Sequence, residues 1–203
     1  ENNDLSLDIN NLTFGFNNNF ILKNISLSIN NHQLVGICGE VHSGKSTLLA
    51  ALTGIYNYQG SIKLSGIELK DIKDLKYNNF ISYAPSEVEI FNDTVKYNIS
   101  FWEKDVYKEM KMTYLDQEIN SEDILSHSNS NLSGGQQKRL MIARCLFSNA
   151  KLILLDDPFN ALDIDMGVKI INNIKNNYKN SIIIIANNQN EILKKMDKII
   201  YLN

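Results

Sequence analysis

Arginine is nearly missing from this chain: of 20 basic residues only Arg139 and Arg144 are arginine, and the other 18 are lysine. Two cysteines, Cys38 and Cys145, are too few for a disulfide framework and fit a reducing compartment. With 2 prolines and 10 glycines in 203 residues, the composition is neither fibrous nor disordered. Long hydrophobic runs are absent. The longest, Ile182 to Ala186, falls far below the roughly 18 residues of a membrane span. The opening Glu1-Asn-Asn-Asp4 lacks the pattern of a signal peptide. An excess of one charge is missing too: 20 basic against 23 acidic residues gives −3, which argues against a dedicated nucleic-acid binder. No zinc or iron–sulfur ligand spacing occurs.

What is there is an ordinary globular composition, 43% apolar and 21% charged, in a length that suits one domain with its own core. Asparagine, at 29 residues, reads as solvated loop and surface. Strand alternation appears at Leu5, Leu7 and Ile9, at Leu12, Phe14 and Phe16, and at Ile25, Leu27 and Ile29. Leu34 to Cys38 reads as a buried parallel strand, and a helix is expected over 45–52 with Gly54 as its stop. Ile62 and Leu64 before Ser65-Gly66 suggest a hairpin arm. Val106, Met110 and Tyr114 have helical spacing, as do Leu140, Ala143, Leu146 and Phe147, and Met166, Ile170, Ile174 and Tyr178. Strands are expected at 152–155, 182–185 and 198–202, with a short helix near 191–195. The pattern indicates an α/β fold with a mixed sheet. Ending on a strand, the chain is expected to be an excised piece.

Three segments carry chemistry. Gly39-Glu-Val-His-Ser-Gly44-Lys45-Ser46-Thr47 matches G-x-x-x-x-G-K-[ST] between a strand and a helix. Glycines let backbone N–H groups face phosphate oxygens at the positive end of the helix dipole. Lys45 is expected to reach the β- and γ-phosphates and Ser46 to bind Mg²⁺. Second, Lys151 is followed by four apolar residues, Leu152 to Leu155, that end in Asp156-Asp157, where an α/β sheet presents groups to a ligand, and Asp156 is the expected Mg²⁺ partner. Third, Leu132-Ser133-Gly134-Gly135-Gln136 precedes a helix and offers a further anion site. His42 is read as a loop residue, His32 and His127 as solvated, Cys38 as a small core residue, and Lys104, Lys108 and Lys111 as a solvated helix face.

Leu132 to Gln136, with Ser133 lying 23 residues before Asp156, resembles the signature of ATP-binding-cassette (ABC) proteins. The resemblance runs from about Leu5 to Leu202. It implies a P-loop NTPase core with an antiparallel β subdomain and a helical subdomain inserted at about 87–131, the whole chain being one nucleotide-binding domain. It implies MgATP held by Gly39, Ser43, Gly44, Lys45, Ser46 and Thr47, with adenine stacked on Phe16. Ser133, Gly134, Gly135 and Gln136 would contact ATP held by a second such domain in a head-to-tail sandwich. Phe91-Asn-Asp-Thr-Val95 and Asn98-Ile99 resemble the exporter segment, and Asn160-Ala-Leu-Asp163 resembles the D-loop, whose Asp163 communicates across the dimer. Val41 and Asp156-Asp157-Pro158 resemble the first cassette of the C subfamily, the multidrug-resistance-associated type. Transmembrane domains of the same transporter are the implied further partner, and the cytoplasmic face of a membrane the implied location.

Three positions depart from the family pattern. Asp157 stands where the family has a catalytic Glu, Ser86 where the Q-loop has Gln, and Asn187 where the switch histidine is expected. Serine cannot span to metal and water, and an amide cannot take up a proton. Altered catalytic positions beside an intact signature imply a half-site that binds MgATP and hydrolyses it weakly, while completing a competent sister site. The alternatives are a soluble ABC-type ATPase or a non-catalytic ATP-sensing domain. A GTPase is disfavoured by the lack of an Asn-Lys-x-Asp motif.

Overall fold

A computed structural model describes residues 5–17, 19–30, 33–72, 80–102, 104–126 and 131–202. His32 and His127 lie outside the described residues. The amino-terminal part forms an antiparallel sheet of strands β1 (Leu7–Phe16), β2 (Asn19–Ile29), β4 (Gln59–Leu64) and β5 (Ile67–Glu68), in the order β2-β1-β4-β5. The rest of the core is a parallel sheet of β3 (Leu34–Gly39), β6 (Ile81–Ala84), β7 (Leu152–Asp156), β8 (Ile182–Ala186) and β9 (Lys198–Leu202), in the order β6-β7-β8-β3-β9. The helices are α1 (Lys45–Leu52), α2 (Val95–Ser100), α3 (Tyr107–Met112), α4 (Gly134–Phe147), α5 (Ile164–Asn177) and α6 (Asn190–Leu193).

The α/β class stands with one correction. The antiparallel β subdomain that the resemblance implies is a sheet of its own, and the core sheet is parallel throughout its described strands, not mixed. β8 and β9 occupy both hydrogen-bonding edges of β3, and β2 and β4 both edges of β1, so neither strand has an edge left to join the other sheet. The phase change from Leu7 and Ile9 to Leu12 and Phe14 is taken up by a bulge at Asn11, whose φ is 51°. Asn24, with φ 57°, does the same in β2, and the two shifts keep Leu12, Phe14, Leu22 and Ile29 buried.

Alternation across the parallel strands divides the core. Val35, Ile37, Leu152, Leu154, Ile182 and Ile184 pack with α1 and the antiparallel sheet. Leu34, Ile153, Leu155, Ile183 and Ile185 pack against Ile142, Leu146, Ile170 and Ile174 of α4 and α5. Both faces are covered, which is why these strands read as unbroken apolar runs. A third cluster, with Val95, Ile99, Met110 and Leu125, packs on Leu140 and Ala143 of α4. Both arginines of the chain lie on α4 and tie it to this cluster: Arg139 donates to Tyr114 O at 3.1 Å and Arg144 Nε to Asn98 O at 2.6 Å.

The hairpin turns at Ser65 (φ 50°) and Gly66 (φ 79°), two left-handed residues as a type I′ turn requires. Beyond it, Glu68 accepts from Tyr58 Oη at 2.6 Å, Ser61 Oγ at 2.5 Å and Ile62 N at 2.9 Å. Burial pushes this carboxyl up, but the hydrogen bonds from Ser61, Tyr58 and Ile62 outweigh it and hold it below the usual carboxylate range. A depressed folded-state pKa stabilises above the unfolded value, and the benefit is lost as pH falls through the folded one. Glu68→Gln is therefore expected to lower the melting temperature at pH 7. The gap from wild type should close as pH falls below the carboxylate range, read by thermal melts across pH.

Candidate functional site: a phosphate pocket and a separate signature surface

Four loops leave the carboxyl edge of the parallel sheet, where open α/β folds hold their ligands. Register aligns them: Asp156 pairs with Ala186, and Ala186 with Ile37. The β3 loop turns tightly. A Cβ on Gly39 would lie 2.3 Å from Leu202 O and 2.6 Å from Ser43 Oγ, so a side chain there has no room. Gly44, at φ 93°, caps α1 with no side-chain hydrogen bond, leaving N–H groups of the first turn open to an anion. His42 is exposed and left-handed at φ 70°, a loop residue as expected. Lys45 Nζ donates to Gly39 O at 2.8 Å and Glu40 O at 2.9 Å, folded over the loop it would serve.

Asp156 is buried at the end of β7. Burial pushes its carboxyl up, the Ser46 hydroxyl hydrogen-bonds to it and lowers it, and Asp157 raises it again. Tyr83, which carries no motif of its own, is a further partner of Asp156; burial first, and then that carboxylate, push its hydroxyl to about 12. Asp157 follows in the left-handed region at φ 46°, with its N–H on Ala186 O at 3.0 Å. Asn187 is buried; its Oδ1 accepts from Gln189 N at 2.7 Å, while Nδ2 has no hydrogen-bond partner among the described residues. Ser86 is exposed, and its carbonyl accepts from Lys138 Nζ at 2.6 Å.

The structure gathers Gly44, Lys45, Ser46, Thr47, Ser86, Asp156, Asp157 and Asn187 around one pocket of about 620 Å³. Phe16 does not line it. That ring is exposed and stands edge-on to Phe14 and Tyr56, with centroids 5.1 and 5.6 Å away, so it is a surface aromatic and not a core one.

Ser133, Gly134, Gly135 and Asp163 line a different pocket of about 410 Å³. Ser133 caps α4: its Oγ accepts from Gln136 N at 3.2 Å, while Gln136 Oε1 accepts from Ser133 N at 2.8 Å. Gln136 Nε2 also donates to Glu118 at 2.9 Å, so this side chain is spent on the helix start rather than turned outward. Glu118 takes two 2.7 Å bonds from Arg139, a pair no local sequence signal could reveal. Asp163 caps α5, accepting from Met166 N at 2.8 Å. A Cβ on Gly135 would come within 3.1 Å of Leu162 and 3.2 Å of Ala161 O, so the signature backbone lies close against the D-loop.

The profile of the ABC transporter family matches residues 22–160. The chain belongs to the ABC transporter family. A putative export ATP-binding/permease protein of Rickettsia prowazekii is 32% identical over 98% of the chain and 37% of its own length. The microcin-J25 export ATP-binding/permease protein of Escherichia coli is 30% identical over 98% of the chain and 36% of its own length. The chain thus spans little more than a third of these relatives. The solved structure of a bacterial Atm1-family ABC exporter with ATP bound superposes with a TM-score of 0.90 at 23% identity, covering 99% of this chain and 37% of that one, which fixes the fold.

MgATP is the ligand this ABC domain implies, and the residues fit it. Ser43 Oγ is buried beside the Gly39 turn without a hydrogen-bond partner among the described residues. Among the described residues no three His, Cys, Asp or Glu side chains cluster as a metal cage. Ser46 with one buried carboxylate is instead the partial donor set that suits Mg²⁺, which keeps waters and phosphate oxygens as its other ligands.

Proposed function

We propose that this chain is the ATP-binding domain of an exporter-type transporter, binding MgATP at its P-loop with weak hydrolysis of its own. One observation carries the reading: a single pocket unites Lys45, Ser46 and Asp156 with the three altered positions Asp157, Ser86 and Asn187. When bound, MgATP brings a phosphoanhydride bond and a divalent charge. Lys45 would turn from its two carbonyls to phosphate, Ser46 and Asp156 would hold the metal, and open N–H groups of α1 would donate to phosphate oxygens. Thr47 lines the same wall, with Gly39 and Ser43 shaping the loop and Phe16 offering a face to adenine.

The signature pocket shares no residue with the phosphate pocket, which supports its use by a second nucleotide-binding domain in a head-to-tail sandwich. Ser133, Gly134 and Gly135 would meet that partner's ATP, with Asp163 at the interface and Gln136 fixing the helix start. The Val41 and Asp156-Asp157-Pro158 resemblance, with the intact signature, favours the first cassette of a C-subfamily-like pair. No helix among the described residues is long and apolar enough to cross a membrane. Membrane domains are a partner. A groove of about 730 Å³, lined by Pro85, Glu87, Phe91, Phe101, Trp102 and Arg144, offers them exposed aromatic surface beside the Ser86 loop. On this reading the domain works at the cytoplasmic face of a membrane.

Titration with a fluorescent ATP analogue and Mg²⁺ tests the nucleotide site. Wild type should bind, and Lys45→Ala should weaken binding at least about tenfold, the worth of one charge-assisted hydrogen bond. Equal affinity in both proteins would remove the P-loop from the proposal.

A further inference from the structure

Lys138 is 7% exposed, and its role is not accounted for by phosphate binding. Its Nζ donates to Ser86 O at 2.6 Å and to Asp157 O at 3.2 Å. Those carbonyls belong to two separate loops of the phosphate pocket, one after β6 and one after β7. Lys138 itself sits just past the first turn of α4, whose start, Ser133 to Gly135, lines the other pocket. One buried ammonium therefore joins the helix that presents the signature to two of the three altered loops of the chain's own site.

We propose that Lys138 is a positioning residue that carries the state of the phosphate pocket to the signature end of α4 and to the groove around Trp102. The inference rests on the ATP-binding reading above. An ammonium has three donors and can hold two carbonyls at once, which no neutral side chain of that length does. Burial disfavours its charge, whereas Asp157 and Asp156 favour it, so the strut belongs to the same electrostatic unit as the pocket. Charge-assisted bonds in a low-dielectric interior are strong and short, so displacement of either carbonyl is felt by the lysine and by its helix. The fourteen-residue α4 is one continuous helix, with Gly134 at one end and Phe147, which lines the Trp102 groove, at the other. Because Ser86 lacks the reach of a glutamine, its backbone carbonyl is the atom through which this loop is held.

The test compares wild type, Lys138→Met and Lys138→Arg by amide hydrogen exchange and by emission of Trp102, the single tryptophan. Without nucleotide, Lys138→Met should exchange about fivefold faster or more in both segments 83–88 and 155–160, and not throughout the chain. With saturating MgATP, its affinity should match wild type. The MgATP-induced changes at 133–137 and in Trp102 emission should fall below about a third of the wild-type response, and Lys138→Arg should restore them. Lys138→Leu, which likewise has no donor, replaces methionine if that variant does not fold. An undiminished response in Lys138→Met overturns the proposal, as does acceleration spread over the whole chain. Wild type that binds no MgATP overturns the ATP reading and the transmission built on it; the nucleotide-free exchange separates that failure from a lysine that holds nothing.

Discussion

Asp157→Glu, Ser86→Gln and Asn187→His together are expected to raise single-turnover hydrolysis of bound MgATP by about 100-fold, the scale of a catalytic group misplaced by about 1 Å. The backbone leaves little room for the wild-type groups to compensate. Asp157 is held left-handed, with its N–H on Ala186 O at 3.0 Å, so the carboxylate extends only as far as its own methylene allows. Ser86 is pinned by its carbonyl, and its hydroxyl is too short to bridge the pocket. Asn187 spends Oδ1 on Gln189 N at 2.7 Å and has no group that takes a proton. Decay of bound ATP would be followed at high protein concentration, with association measured in parallel. If wild type that associates hydrolyses as fast as the triple variant, Asp157 is a competent base and the weak-site reading is wrong.

Asn98→Ala is expected to lower stability by about 4 kcal/mol, or about 10 °C in melting temperature, through unpaired groups left in a dry interior. Asn98 is fully buried on α2. Its Nδ2 donates to Phe91 O at 3.0 Å, Asp93 O at 3.3 Å and Thr94 O at 2.9 Å. Its Oδ1 accepts from Phe91 N at 2.8 Å and Arg144 at 3.2 Å. Alanine removes all five bonds and loosens Arg144, which also lies over the rings of Phe91 and Phe101 at 5.2 and 5.4 Å. Asn98→Asp separates shape from chemistry: it keeps both acceptor bonds but turns a carboxylate onto three carbonyls, and should melt at least as low. Thermal melts decide; a loss below about 1 kcal/mol in both variants would mean water replaces the network.

Much of the machinery was legible because its signals are local. The P-loop pattern, the strand before it and helix α1 depend on residues within a few positions of one another, and α1 runs from Lys45 to Leu52 with Gly54 left-handed after it, as expected. Amphipathic spacing likewise located α4 and α5, and continuous apolar runs located β3, β7 and β8. The expected solvated face of Lys104, Lys108 and Lys111 is exposed, and Cys38 is buried. The family itself was readable from Leu132 to Gln136.

Residues that act through distant partners were not legible. Periodicity could not say that parallel and antiparallel strands would part into two sheets, since edge pairing is decided between segments. Gln136 closes a capping box with Ser133 through Oε1 and donates to Glu118 through Nε2, and the second of these contacts lies too far along the chain for spacing to show. Lys138 looked like one lysine among 18, until the order β6-β7-β8 set Ser86 and Asp157 beside it. The sequence alone determined which chemical groups this protein carries and which local turns present them. Only the tertiary structure decided which groups meet, because strand order and register are long-range pairings, and those pairings bring Asp156, Asn187 and Ser86 to Lys45 while keeping the signature apart.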